Sequence, residues 1–340
     1  MSNFVQSANG ERKTLSTVRF RQMGVFLGSG SVQGSARENG EGLTLRIEES
    51  LTLMHRWGFA PSVDTLSKML LGGIVEEDQL APALLSSDRF RVVEGFVCLR
   101  GHESLLKESQ ERVASHERLN GEIQGVTSAF VRDLLLCCPF VEVVALSGSA
   151  ASGGFSPGDD IDFDLVVNPG TKYTTYLLAS LVGLRYSWRY RHWESGPLHT
   201  LPLLPKVTCV NVVWPSDQTR PFIRQDMAMA FELLRCQPLY GSGRFEELLQ
   251  ANRFLWEFFP QAYNRRWTDG SPFPSLNAMG RFLSLVGRIP RALRLLEILS
   301  RGITWMLYHF VQGVRAKNPV AAARMEFLRR VKYPYELFQD

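Results

Sequence analysis

The segment from Gly148 to Val167, which reads GSAASGGFSPGDDIDFDLVV, constrains the fold more than any other stretch of the chain. It begins with small residues and ends in an apolar run, and aspartates alternate with apolar residues at Asp160, Asp162 and Asp164. Alternate side chains of a strand share a face, so the pattern predicts carboxylates on one face and apolar side chains on the other. Carboxylates this close repel one another and are costly to desolvate, which favours a cation between them.

The chemistry of these residues indicates Mg²⁺ and phosphate. Hard carboxylate oxygens suit Mg²⁺, which keeps several waters and also takes phosphate oxygens of a substrate. The Gly148-Ser149 turn provides the complement, because glycine lets the backbone approach a phosphate closely and backbone N–H groups at a helix start favour an anion. Such a site predicts phosphoryl or nucleotidyl transfer, in which the protein positions the reactants and neutralises charge.

The spacing also matches a family pattern. Gly148-Ser149, Ala151 and Gly153, followed by Asp160-Ile161-Asp162, fit G-S-x-A-x-G, a short spacer and D-h-D-h, where h is apolar. In this the chain resembles the DNA polymerase beta-like nucleotidyltransferase superfamily, particularly its minimal and kanamycin-nucleotidyltransferase-like branch. A weaker likeness extends to uncharacterised bacterial proteins that carry a winged-helix-like segment ahead of this core.

The resemblance implies a mixed sheet in which the Gly-Ser turn opens a helix facing the aspartate strand. It implies that Asp160 and Asp162 are catalytic and hold Mg²⁺ with a nucleoside triphosphate, and that Gly148, Ser149 and Gly153 bind that donor. The implied reaction transfers a nucleoside monophosphate to an acceptor hydroxyl. The acceptor, whether a small molecule, an RNA or a protein, cannot be read from the sequence.

One departure from the family pattern leaves alternatives open. The superfamily usually carries a third carboxylate on a later strand, whereas KVTCVNVVW offers Thr208, Cys209 and Asn211 but no acid. Either Asn211, through its amide oxygen, or Asp164 could supply the missing ligand, and the general base is unassigned. The alternative function is therefore a catalytically degraded module that senses nucleotide or binds nucleic acid or protein, including an antitoxin-like role.

The chain is predicted to have an α+β fold, with helical additions on both sides of a nucleotidyltransferase core. Five segments are expected along the chain: a disordered or poorly packed 1–42, a winged-helix-like 43–101, a connecting helix 102–138, the core 139–240 and a helical, basic region 241–340. In the second segment, three helical patterns precede the hairpin pattern RFRVVEGFVCLRG. The third helix carries Glu76, Glu77 and Asp78, which favours packing or partner docking over reading of DNA.

Charge and composition limit the partners. The net charge of +4 is mild, but residues 277–340 contain eleven basic and four acidic residues, so this region could meet nucleic acid or an anionic membrane surface. The five cysteines lie in apolar runs without CxxC spacing, which indicates buried thiols in a reducing compartment. With no secretory signal and no apolar run of about 18 residues, a cytoplasmic protein without a membrane span is expected.

Overall fold

The computed structural model describes residues 40–193, 204–267 and 274–319, together with 322, 323 and 326. Most of the segment 1–42 lies outside the described residues, but its last three residues, 40–42, belong to the first helix. Three helices and an antiparallel hairpin follow one another here, as predicted: α1 (Gly40–Arg56), α2 (Val63–Lys68), α3 (Glu77–Ser86), β1 (Phe90–Val93) and β2 (Phe96–Leu99). Glu94 and Gly95 both take positive φ in the two-residue turn, the geometry that matches the twist of such hairpins.

A single long helix, α4 (Ser104–Cys137), occupies most of the segment 102–138. Its first half is exposed or half-buried at most positions, and its second half buries an apolar stripe that includes Ile123, Phe130 and Leu134. Pro139 follows the helix immediately, and a proline cannot continue the helical hydrogen bonding.

The centre of the chain is a mixed sheet of four strands, β3 (Val141–Ser147), β4 (Ile161–Val167), β5 (Thr208–Pro215) and β6 (Gln237–Tyr240), in the order β5-β4-β3-β6. Strand β4 pairs antiparallel with β3 and parallel with β5, and β6 pairs antiparallel with β3. The α+β class and the mixed sheet are therefore as expected. The elements in chain order are β3 (Val141–Ser147), α5 (Gly148–Ala151), β4 (Ile161–Val167), α6 (Lys172–Arg189), β5 (Thr208–Pro215), α7 (Met227–Arg235) and β6 (Gln237–Tyr240).

Strand β6 departs from what its sequence indicates, because QDMAMAFELLRCQPLYG (225–241) predicts a single helix. The helix ends at Arg235, and the next residues form the edge strand β6. Pro238 lies within this strand. Proline has no N–H to donate, and an edge strand tolerates it because one of its sides has no neighbouring strand.

Both faces of the sheet are covered, and the alternation in β4 decides which side chain meets which helix. Ile161, Phe163 and Leu165 join the apolar cluster formed with α4 and α6. Val166 joins the other cluster, formed with α7, α8 (Ser242–Ala251) and the first three helices. The even-numbered aspartates therefore face away from α4 and α6, as the period of two predicts.

The remaining helices are α8 (Ser242–Ala251), α9 (Arg253–Phe258), α10 (Ala278–Gly287) and α11 (Pro290–Ala316). Pro290 opens α11, a position where its missing N–H is harmless. Glu297 of α11 accepts hydrogen bonds from the backbone N–H groups of Tyr173 (2.7 Å) and Thr174 (2.9 Å) at the start of α6. Among the described helices, none combines the length and the apolar character that crossing a membrane requires.

Candidate functional site

Three side chains from two adjacent parallel strands meet at the end of the sheet where β4 begins. Asp160 directly precedes β4, and Asp162 lies opposite Ser147 of β3 on one side and Cys209 of β5 on the other. One potential ligand atom from each of Asp160, Asp162 and Cys209 lies within 4.8 Å of the others. All three side chains are partly exposed, so the cluster is open to solvent.

The Gly-Ser turn approaches this cluster so closely that only glycine fits. A Cβ atom built on Gly148 would lie 2.2 Å from Oδ2 of Asp162, and Gly148 has a φ of +62°. Both the contact and the backbone conformation exclude an ordinary side chain. The Asp162 carboxylate thus faces the turn that the sequence pattern singled out.

Lys206 neutralises one of the two carboxylates. Its Nζ forms an ion pair with Oδ2 of Asp160, and 37% of the lysine side chain and 29% of the aspartate side chain remain exposed. Burial alone would raise the pKa of Asp160, but the Lys206 ammonium outweighs it and holds that pKa below its usual value. Burial opposes the charge on Lys206 in turn, yet Asp160 raises the lysine pKa above its usual value.

The second carboxylate is less well compensated. Burial and the neighbouring Asp160 charge raise the pKa of Asp162 well above its usual value, and Lys206 offsets this only in part. Burial also raises the pKa of Cys209 to about 12, although Lys206 acts in the opposite direction. Cys209 is therefore a neutral thiol at physiological pH, and its Sγ donates to Oδ1 of Asn211 over 3.2 Å. Asn211 thus contacts the cluster through Cys209.

Asp164 shares the face of the other aspartates but lies deeper, in a different group of side chains. It is 4% exposed and accepts hydrogen bonds from Ser147 Oγ (3.0 Å) and Cys236 Sγ (3.5 Å). Burial and the charge of the buried Glu232 raise the pKa of Asp164 to about 7, against these two hydrogen bonds. The geometry gives Asp164 structural partners and leaves it outside the group formed by Asp160, Asp162 and Cys209.

The other two predicted donor-binding residues have distinct surroundings. The Ser149 hydroxyl donates to Oδ2 of Asp159 (2.9 Å), and the same oxygen pairs with Arg112 of α4 at 2.5 Å. Gly153 lies just past α5 with a φ of +76°. It lines a cavity of about 590 Å³ on the α4 side of the sheet, whose lining side chains, His116 and Gln237 among them, include no Asp, Glu, Lys or Arg.

Sequence reasoning missed Lys206 and Arg112. Lys206 stands just before β5 as Asp160 stands before β4, and a parallel pairing of the two strands brings such positions together. The position of Lys206 can be read from the sequence, but the sequence does not show that β4 and β5 are neighbouring strands. The ion pair with Asp160 could therefore not be predicted. Arg112 belongs to α4, far from Asp159 along the chain. Its neighbours in the sequence are also charged, so nothing in the sequence singles it out as the partner of Asp159.

Comparison with protein-family models, with curated proteins and with solved structures found no match for this chain. Any functional assignment therefore rests on the motif and on the geometry of the cluster.

Proposed function

We propose that the chain is a Mg²⁺-dependent nucleotidyltransferase that moves a nucleoside monophosphate from a nucleoside triphosphate to an acceptor hydroxyl. The observation that carries the proposal is the contact between the Gly148 turn and the Asp162 carboxylate, where a Cβ atom would lie 2.2 Å from Oδ2. The contact sets the backbone of the turn directly beside two partly exposed carboxylates, which supports binding of a metal ion and a phosphate group at the same point.

The donor set fits one Mg²⁺ ion. Mg²⁺ is commonly held by one or two carboxylates, with waters and substrate phosphates completing its shell, so Asp160 and Asp162 suffice. Cys209 does not contribute, because Mg²⁺ is a hard cation that takes oxygen ligands, whereas sulfur is a soft ligand that suits other metals. When bound, Mg²⁺ would neutralise negative charge on the triphosphate.

The residues of the chain have separate parts in this proposal. Asp160 and Asp162 hold the ion and so orient the donor, while Gly148, which has no side chain, lets the turn lie directly against the Asp162 carboxylate. The Lys206 ammonium fixes Asp160 through its ion pair and adds positive charge beside the donor. Arg112 holds Asp159, whose carboxylate accepts from the Ser149 hydroxyl, and thereby stabilises the loop between α5 and β4.

A second candidate function is nucleotide binding without transfer. It is favoured by one observation: the corner of the cluster nearest β5 holds the neutral Cys209 thiol instead of a third carboxylate, and Lys206 already pairs with Asp160. Such a cluster keeps the Lys206 ammonium beside the position proposed for the phosphates, but none of its side chains is assigned as a general base. Under this proposal the chain would sense a nucleotide and pass the signal to a nucleic acid or protein partner.

The test uses the four nucleoside triphosphates labelled in the α-phosphate, with and without Mg²⁺ and with cell extract as a source of acceptor. Asp160→Asn and Asp162→Asn should each weaken Mg²⁺-dependent nucleotide binding by at least about tenfold, because each removes a charge-assisted contact. Asp88→Asn, at an exposed carboxylate outside the cluster, is the matched control. Transfer of label to an acceptor supports the enzyme, and binding without transfer supports the sensing module. If both Asn variants bind like the parent, both candidate functions are wrong.

A further inference from the structure

The outer side of the helix pair α10–α11 exposes a continuous series of large apolar side chains. Twelve of them, on these two helices and the residues that join them, are between 42% and 63% exposed: Met279, Phe282, Leu285, Ile289, Leu295, Ile298, Leu299, Ile303, Trp305, Met306, Leu307 and Phe310. Water-exposed apolar side chains in such number are unusual unless the surface contacts another apolar phase or a partner. We call this surface the α10–α11 face.

Helix α11 also has a buried side that packs against the rest of the protein, so the α10–α11 face is a second, separate surface. Ser300 and Thr304 are each 2% exposed, and Leu293 and Leu296 pack against the core cluster beside α6. Glu297 fixes the helix by capping α6. Spaced by three or four residues, Leu295, Leu299, Ile303, Met306 and Phe310 recur on the opposite side. Helix α11 therefore packs against the core by one side and exposes apolar side chains on the other.

Positive charge borders this face. Helices α10 and α11, together with the two residues that join them, contain six arginines and a single acidic residue, Glu297, which is engaged at the start of α6. Arg281, Arg288, Arg291 and Arg294 are exposed, and within the described part of the chain no carboxylate is recorded in an ion pair with any of them. An apolar helix surface bordered by arginines is the pattern of helices that lie in the interface of an anionic membrane.

We propose that the α10–α11 face docks onto a membrane surface containing anionic lipid, with the helices parallel to the membrane plane. The apolar side chains enter the boundary between headgroups and acyl chains, and the arginines contact lipid phosphates. This inference is independent of the nucleotide site, because it uses none of the residues of that cluster.

Two other occupants fit the face less well. A second copy of the chain would bring a like-charged, arginine-bordered face against this one, with no exposed carboxylate on either helix to compensate. An RNA would satisfy the arginines, but phosphate contacts need polar donors across the centre of a surface, and the centre here is leucine, isoleucine and methionine. Of these three occupants, only anionic lipid matches both the positive charge and the apolar side chains of the α10–α11 face.

The experiment is co-sedimentation of the full chain with vesicles of phosphatidylcholine alone and with vesicles that also contain phosphatidylserine. We expect binding at least about tenfold tighter to the anionic vesicles, weakened by added salt. Leu299→Glu/Met306→Glu should abolish it, and Arg291→Glu/Arg294→Glu should reduce it at least about tenfold. Arg118→Glu/Arg244→Glu, which makes the same charge change at exposed sites elsewhere, should retain the parent's binding.

A second readout locates the contact without a disruptive substitution. Lipids brominated on their acyl chains quench nearby tryptophans, so quenching should be weaker in Trp305→Phe than in the parent. Equal binding to both vesicle types, no binding, or equal loss in the two arginine double variants would overturn the proposal. The proposal would also be overturned if the chain did not bind vesicles and instead formed a dimer that Leu299→Glu/Met306→Glu disrupts. The same holds if the chain did not bind vesicles and bound RNA through Arg291 and Arg294.

Discussion

Gly148 and Asp162 lie so close together that a methyl group would not fit between them. A Cβ atom on Gly148 would meet Oδ2 of Asp162 at 2.2 Å and its Cβ and Cγ atoms at 3.1 Å. The residue type at position 148 is therefore fixed by its neighbour as well as by its own φ of +62°. This joins the two parts of the sequence motif into one structural unit.

Gly148→Ala should destabilise the fold more than the same change at another positive-φ glycine. The variant forces either the turn or Asp162 to move, so we expect a loss of about 3 kcal/mol in the free energy of unfolding. Gly153→Ala is the matched control, because Gly153 also has a positive φ but open space where its Cβ would stand. It should lose only about 1 kcal/mol, the cost of the backbone conformation. Urea unfolding of the two variants measures the difference, and equal losses would contradict the contact.

Lys206 and a divalent cation should compete for Asp160. The ammonium pairs with Oδ2 of Asp160, so its removal leaves that carboxylate without its main counter-charge. We therefore expect added Mg²⁺ to raise the Tm of Lys206→Met by more than it raises that of the parent. The additional Asp160→Asn change should remove this gain.

The control for this prediction is Lys68→Met, which breaks the exposed ion pair with Asp64 far from the cluster along the chain. Its Mg²⁺ response should equal the parent's. Thermal unfolding with and without Mg²⁺ checks all four proteins. An unchanged response in Lys206→Met would mean that the lysine and the ion do not compete.

The local parts of the site could be predicted from the sequence. The period of two in IDFDLVV is a property of neighbouring residues, and it correctly assigned Asp162 to one face and Phe163 to the other. The turn after β3 was indicated by Gly148, whose positive φ a glycine adopts without strain. These features depend on interactions within a few residues, which is why a sequence pattern captures them.

The parts that depend on strand order could not be predicted in the same way. Cys209 occupies the third corner because β5 runs parallel to β4 with Asp162 opposite Cys209. The pairing of Lys206 with Asp160 follows from the same arrangement. Strand β6 was missed because QPLY has no alternating pattern and contains Pro238, so its pairing with β3 is set by tertiary structure.

Glu297→Gln should loosen the attachment of α11 to α6. The carboxylate accepts from the N–H groups of Tyr173 and Thr174 and from the Thr174 hydroxyl at 2.7 Å, and its negative charge suits a helix N-terminus. A neutral amide keeps the shape but loses the charge, so we expect a loss of about 1 to 2 kcal/mol in the free energy of unfolding. Glu49→Gln, at an exposed glutamate of α1, should change little. Urea unfolding compares the two, and equal effects would exclude a special role of Glu297 as a cap.

His55 should make the stability of the fold depend on pH in the mildly acidic range. Both of its ring nitrogens are buried without a hydrogen-bond partner among the described residues, and its ring stacks on His102 with centroids 4.7 Å apart. Burial, and secondarily the charge of His102, lowers the pKa of His55 from 6.5 to about 4. Between these two values the unfolded chain binds a proton that the folded chain does not.

The free energy of unfolding should therefore fall as the pH falls from about 6.5 towards 4, because protonation favours the state with the higher pKa. His55→Phe keeps an aromatic ring of similar size but cannot take up a proton, so its stability should decline less over this range than that of the parent. His192→Phe, at an exposed histidine, is the control and should follow the parent's curve. Urea unfolding at a series of pH values measures the slopes. A parent and a His55→Phe variant with parallel curves would show that His55 does not carry the effect.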